Sequence, residues 1–155
     1  MDEDVLEEIR YYEKEKNIAI NRRDELERQM QDLNKKYQKN QELTKQYIDM
    51  VKKIGLTEDE IFESEKHKKE ALNNLKKNFQ GVSATKILKT YIKSYAGIST
   101  VKQNLSTCKN EANTKLKKLS SEKIELEKQI ANKKIEKKKN NNYIDYCNRK
   151  LESLY

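Results

Sequence analysis

Asn78-Phe79-Gln80-Gly81-Val82-Ser83-Ala84 lies at the middle of a chain of 155 residues, and its reading decides the fold. The chain has three Gly and no Pro. Against so helix-permissive a background, Gly81 marks a place where the backbone leaves helical geometry, and Ser83 then stands where a side-chain oxygen can cap a new helix. Phe79 places a large ring two residues before the glycine, positioned to pack across the inside of a bend. The stretch reads as a turn over 79–83 that folds one helical sequence back on another.

Working outward toward the N-terminus, apolar residues recur at spacings of three and four. Positions 5, 12, 19, 26, 33, 40, 47 and 54 are Val, Tyr, Ala, Leu, Leu, Asn, Tyr and Ile, and positions 9, 16, 23, 30, 37, 44 and 51 are Ile, Lys, Arg, Met, Tyr, Thr and Val. A heptad ladder of that length belongs to a helix paired along one face and has no strand interpretation. Lys16, Arg23, Asn40 and Thr44 are polar residues at seam positions, where they set register or partner choice, or carry their charge to the rim. Ile54-Gly55-Leu56 offers a C-cap, and Thr57 through Glu60 a capping box, so the first arm is expected over about 2–54 and a short helix over about 58–78.

Toward the C-terminus a second arm is expected over about 84–154, with an interruption near Gly97. Its seam reads Ile98, Val101, Leu105, Cys108 and Ala112, then shifts by one residue to Leu116, Leu119, Leu126, Ile130, Ile144, Cys147, Leu151 and Leu154, the signature of a stutter. The expected fold is all-α: an elongated antiparallel helical hairpin, or coiled coil, forming a single domain. A bundle in which the helices near the turn fold over as an extra pair shares the same outer arms and is equally compatible.

Composition supports this and narrows function. With 39% charged and 34% hydrophobic residues, the chain can fill a narrow seam but not a thick core. No segment is apolar for long enough to span a bilayer, and the Met-Asp-Glu-Asp start lacks the features of a cleaved signal peptide, so the chain is expected to be made as a soluble cytoplasmic protein. Cys108 and Cys147 are roughly 58 Å apart on one helix, too far to bridge, and read as small seam residues. Residues 1–53 carry 12 Lys and Arg against 13 Asp and Glu, net −1, which leaves 22 against 13, net +9, for residues 54–155. The surplus is densest over Lys133–Lys139. A basic helical face suits nucleic acid or an anionic membrane, but there is no Arg-rich recognition helix, zinc pattern or aromatic platform, so nucleic acid is not the expected partner.

No phosphate loop, nucleophile–base set, metal-ligand cluster or cofactor motif occurs, and His67, the one histidine, sits among Lys and Glu as a surface residue. The chain reads as non-catalytic. Two arms of this kind carry more apolar residues than one seam uses: Leu43, Ile48, Phe62, Ile92, Ile124 and Ile135 are expected to remain on the flanks as a docking surface for a helical partner.

The arrangement of a long helix, an aromatic-x-Gly turn at Phe79 and Gly81, the small Ala84 and a second long helix resembles the Trp-x-Gly helical hairpins of type VII secretion. It is most similar to the small accessory proteins encoded beside LXG toxins, with Phe in place of the Trp. The resemblance implies a targeting chaperone that pairs with the helical N-terminal domain of such a toxin. Tyr143 and Tyr146 are followed four residues later by Cys147 and Lys150 rather than by the Asp or Glu of an export signal. The resemblance therefore implies export, independent of a signal peptide, on a partner's signal. The alternative reading is an intracellular structural coiled coil that self-associates through the same seam as a homo-oligomer.

Overall fold

The computed structural model describes the backbone of residues 3–78 and 82–155, with the side chains of all but residues 75, 76, 78, 82–85, 87, 88, 91, 92 and 94–96. It is an all-α hairpin of two helices, α1 (Glu3–Asn78) and α2 (Val82–Leu154). Asp4 and Glu3 lie in the first turn of α1, where a carboxylate meets the positive end of the helix dipole. Phe79 and Gly81 of the expected turn lie outside the described residues. Ser83 and Ala84 fall within the first turn of α2, which is described from Val82.

Chain contacts divide the molecule into two compact units, each made of a segment of α1 and a segment of α2. The first comprises Met1–Glu42 and Ser120–Tyr155. Its core is a single file of residues: Ile9, Ala19 and Leu26 from α1, and Ile144, Cys147 and Leu151 from α2, all buried. Tyr12 meets Tyr146, Ala19 meets Asn140, and Tyr37 meets Glu127, so partners on α2 descend as residues on α1 ascend and the segments are antiparallel. The second unit, Leu43–Leu119, pairs Glu58 with Lys109 and Glu65 with Lys102, again antiparallel, around the buried Ala112 and Leu119.

Three expectations are corrected. First, α1 does not end at Gly55 and no separate helix starts at 58: residues 54–58 are helical throughout, which also removes the folded-over helix pair. Thr57 does not cap; its hydroxyl donates to the carbonyl of Lys53, 3.0 Å away within the same helix. The reason is that the three-four ladder runs on past Gly55 through Glu58, Ile61, Glu65 and Leu72, all half-buried, so continuing the helix keeps the seam. Second, Gly97 lies inside α2 without interrupting it. Third, the second arm has no stutter. Val101 and Cys108 are exposed, and the positions next to them, Lys102 and Lys109, reach the facing helix instead. With those two substituted, the ladder 98, 102, 105, 109, 112, 116, 119, 123, 126 and onward to 154 alternates fours and threes without a break. Of the two cysteines, only Cys147 is a seam residue.

Candidate interaction surface

The seam of the first unit is compact where it is apolar and mixed elsewhere. Leu26 is 1% exposed and Cys147 fully enclosed, whereas Lys16, Arg23, Lys123, Lys133 and Lys137 occupy seam positions half-buried. The charges of Arg23, Lys123, Lys133 and Lys137 are met locally. Lys137 contacts Glu27 of α1 at 2.7 Å, Lys133 contacts Glu136 at 3.2 Å, and Arg22 reaches the same Glu136 at 3.5 Å. Asn40 is buried, and Asn140 donates its side-chain amide to the main-chain carbonyl of Ala19. A shallow groove of about 510 Å³ opens between Arg23, Glu27, Lys137 and Asp145. Its two cations are already engaged, Arg23 by Asp24 and Lys137 by Glu27, which leaves it poorly suited to hold a small anion.

Near the chain ends four tyrosines gather, an arrangement the sequence reading did not anticipate. Tyr11 and Tyr12 meet edge to face at 5.3 Å, Tyr12 and Tyr146 at 6.1 Å, and Tyr143 stacks on Tyr146 at 6.1 Å. The Tyr143 hydroxyl donates to the Glu15 carboxylate at 3.0 Å, and this bond, with partial burial, pushes its pKa up to about 12. Tyr12 is likewise pushed up to about 12, first by its hydrogen bond with Tyr146 and then by burial. The ammonium of Lys150 lies 6.0 Å from the centre of the Tyr146 ring. The signal in sequence was that Tyr12 stands in the ladder itself while Tyr11, Tyr143 and Tyr146 each directly precede a seam position, Tyr12, Ile144 and Cys147, which gathers the rings at the edge of the seam.

The residues expected to dock a partner divide into groups. Ile48 and Phe62, 41% and 61% exposed, each directly follow a seam residue and are two heptads apart, so they share one flank of α1 in the second unit. Leu43 is half-buried on the opposite flank, where Met50, not anticipated, is exposed seven residues on. Ile124 and Ile135 are exposed, but on the side of α2 turned away from the seam rather than beside it. The side chain of Ile92 lies outside the described residues. The six therefore do not form one strip.

Among the described residues no group of three or more His, Cys, Asp or Glu side chains converges to hold a metal ion, and no helix is long and apolar enough to cross a membrane. His67 is a surface residue 3.9 Å from Glu70. Compared with protein-family models, curated proteins and solved structures, the chain gives no match.

Proposed function

We propose that this protein is a non-catalytic binding protein whose helical hairpin docks a helical partner, acting as an accessory chaperone. The partner to test first, suggested by the Phe79-x-Gly81 resemblance, is the helical N-terminal domain of a type VII-secreted LXG toxin, with export of the pair on the partner's signal. The observation that carries the reading is the exposed pair Ile48 and Phe62: two large apolar side chains on one helical flank, in a unit whose seam residues are already used by the chain itself. Large apolar side chains recurring on one flank of a helix are the anchors by which helices dock on one another.

The test is co-expression with such a helical domain followed by capture, using wild type and a variant carrying Ile48→Ser and Phe62→Ser. Capture by wild type and its loss in the variant, with helical circular dichroism retained, supports the reading. Failure of wild type to retain the domain defeats the partner named.

A second reading, self-association as a structural coiled coil, is favoured by one observation. Tyr11 and Ile18 are exposed seven residues apart on α1, the spacing at which a helix of one copy meets a helix of another. Sedimentation of the protein alone over a concentration series separates the two: a dimer or larger species at micromolar concentration selects self-association.

A further inference from the structure

The outer face of α2 in the first unit combines two features. Ile124, Ala131 and Ile135 are exposed and recur at intervals of seven and four, the spacing at which one helix offers its surface to another. Interleaved with them are Lys128, Lys134, Lys138 and Lys139, also exposed. Residues 128–139 hold six Lys and one Glu. That one carboxylate, Glu136, is taken by Arg22 and Lys133. Among the described residues no carboxylate pairs with any of the four outer lysines.

The inward side of the same helix shows what such lysines do when a helix faces them. Lys102 reaches Glu65, Lys109 reaches Glu58 at 2.5 Å, and Lys137 reaches Glu27 at 2.7 Å, each crossing from α2 to a carboxylate on α1. The outward lysines have the same chemistry and the same helical spacing around an apolar line, but no facing helix.

We infer that the outer face of α2 around Ile124, Lys128, Ala131, Ile135 and Lys138 docks an acidic amphipathic helix, its apolar line packing on the two isoleucines and its Glu or Asp residues meeting the unpaired lysines. This rests on the reading that the protein binds a helical partner, and it adds the charge of the helix bound and a second face, on α2, in addition to the Ile48 and Phe62 flank of α1. A membrane-surface helix would need a broader face with bulkier apolar residues than two Ile and one Ala. A nucleic-acid face would be expected to draw on Arg and stacking rings, and the four cations here are all Lys.

The probe is a synthetic helical peptide of about five heptads with Ile and Leu along one face and Glu flanking it, alongside a counterpart with Lys in place of Glu. Binding to the full chain is measured by fluorescence anisotropy at physiological salt. The acidic peptide is expected to bind and the basic one not. Charge reversal on the face, Lys128→Glu with Lys134→Glu and Lys138→Glu, should weaken binding at least about tenfold, while the same change on exposed lysines of α1, Lys35→Glu with Lys36→Glu and Lys39→Glu, should alter it less than about twofold. Circular dichroism checks that both variants remain helical. Ile124→Ser with Ile135→Ser should also weaken binding.

Equal loss in both charge variants overturns the proposal, as does equal affinity for the two peptides. If both peptides bind equally and Ile48→Ser with Phe62→Ser abolishes it, helical-partner binding stands and only the acidic face falls. Binding to neither peptide, or only to anionic vesicles or duplex DNA, also overturns it, with co-expression capture then deciding the broader reading separately.

Discussion

The side-chain amide of Asn140 donates a hydrogen bond to the main-chain carbonyl of Ala19, 2.6 Å away on the facing helix and 121 positions distant in sequence. A polar side chain at a seam position that reaches the opposite backbone can be satisfied in only one register, so this bond fixes how the two segments of the first unit align. Asn140→Ala should lower unfolding free energy by about 1 kcal/mol, the usual net worth of such a bond. Asn140→Leu should hold or raise it while loosening register, seen as broadened amide resonances. A loss of stability in Asn140→Leu as large as in Asn140→Ala would show that the bond does not act as a register device.

Both described glycines stand inside helices with nothing within 4 Å of where a Cβ would be. Neither has the positive φ that favours glycine. Gly55→Ala and Gly97→Ala should therefore each raise stability, by about 0.5 to 1 kcal/mol, through lost backbone freedom in the unfolded chain. Urea titration reads this directly. Destabilisation by Gly55→Ala would mean that the chain turns there after all.

Depth in the seam should grade the cost of truncation. Leu26 and Leu119 are 1% and 2% exposed, and Leu→Ala at either should cost about 2 to 5 kcal/mol. Leu33 and Leu126, half-buried, should cost less. Lys35, Lys36 and Lys118 are exposed and should accept Ala within about 0.5 kcal/mol. Equal effects across the three groups would place the seam on another face.

The contact of Lys109 with Glu58 is only partly shielded, its side chains 37% and 31% exposed. Its coupling energy in a double-mutant cycle should therefore be at most about 1 kcal/mol and should shrink in high salt. Exchanging the two, Glu58→Lys with Lys109→Glu, should recover most of what either single reversal loses. No recovery would mean that each residue acts through other neighbours.

The tyrosine cluster makes stability depend on pH at the alkaline end. Tyr12 and Tyr143 are pushed from an ordinary 10.0 up to about 12 in the folded chain by their hydrogen bonds and partial burial. The folded state thus holds phenolic protons that the unfolded chain gives up. Their contribution is complete below pH 10 and is lost as pH rises from 10 toward 12. Thermal melts across that range should fall more steeply for wild type than for Tyr143→Phe, and an ultraviolet titration should show two phenols ionising late. Parallel melts would remove Tyr143 from the account.

The sequence by itself determined that the chain is helical, that two helices return on each other, and which face of α1 is buried. Residues 5 through 54 repeat their three-four pattern so regularly that each seam position read from it is buried or half-buried in the structure. Periodicity carries that information because a helix paired along its length can bury only one stripe. What only the tertiary structure decided is where such signals compete. Gly55, Thr57 and Glu60 have the local chemistry of a helix end and a new start, and nothing near them in sequence argues otherwise. The helix continues because the three-four ladder runs on past Gly55, and its seam, in which Glu58 and Glu65 meet Lys109 and Lys102, 51 and 37 positions away, is kept only if the helix is unbroken. The same holds on α2, where Val101 and Cys108 look like seam residues beside Lys102 and Lys109. Hydrophobicity favours the first pair, but the carboxylates waiting on α1 draw in the second, and a carboxylate on the facing helix is invisible until the helices are paired.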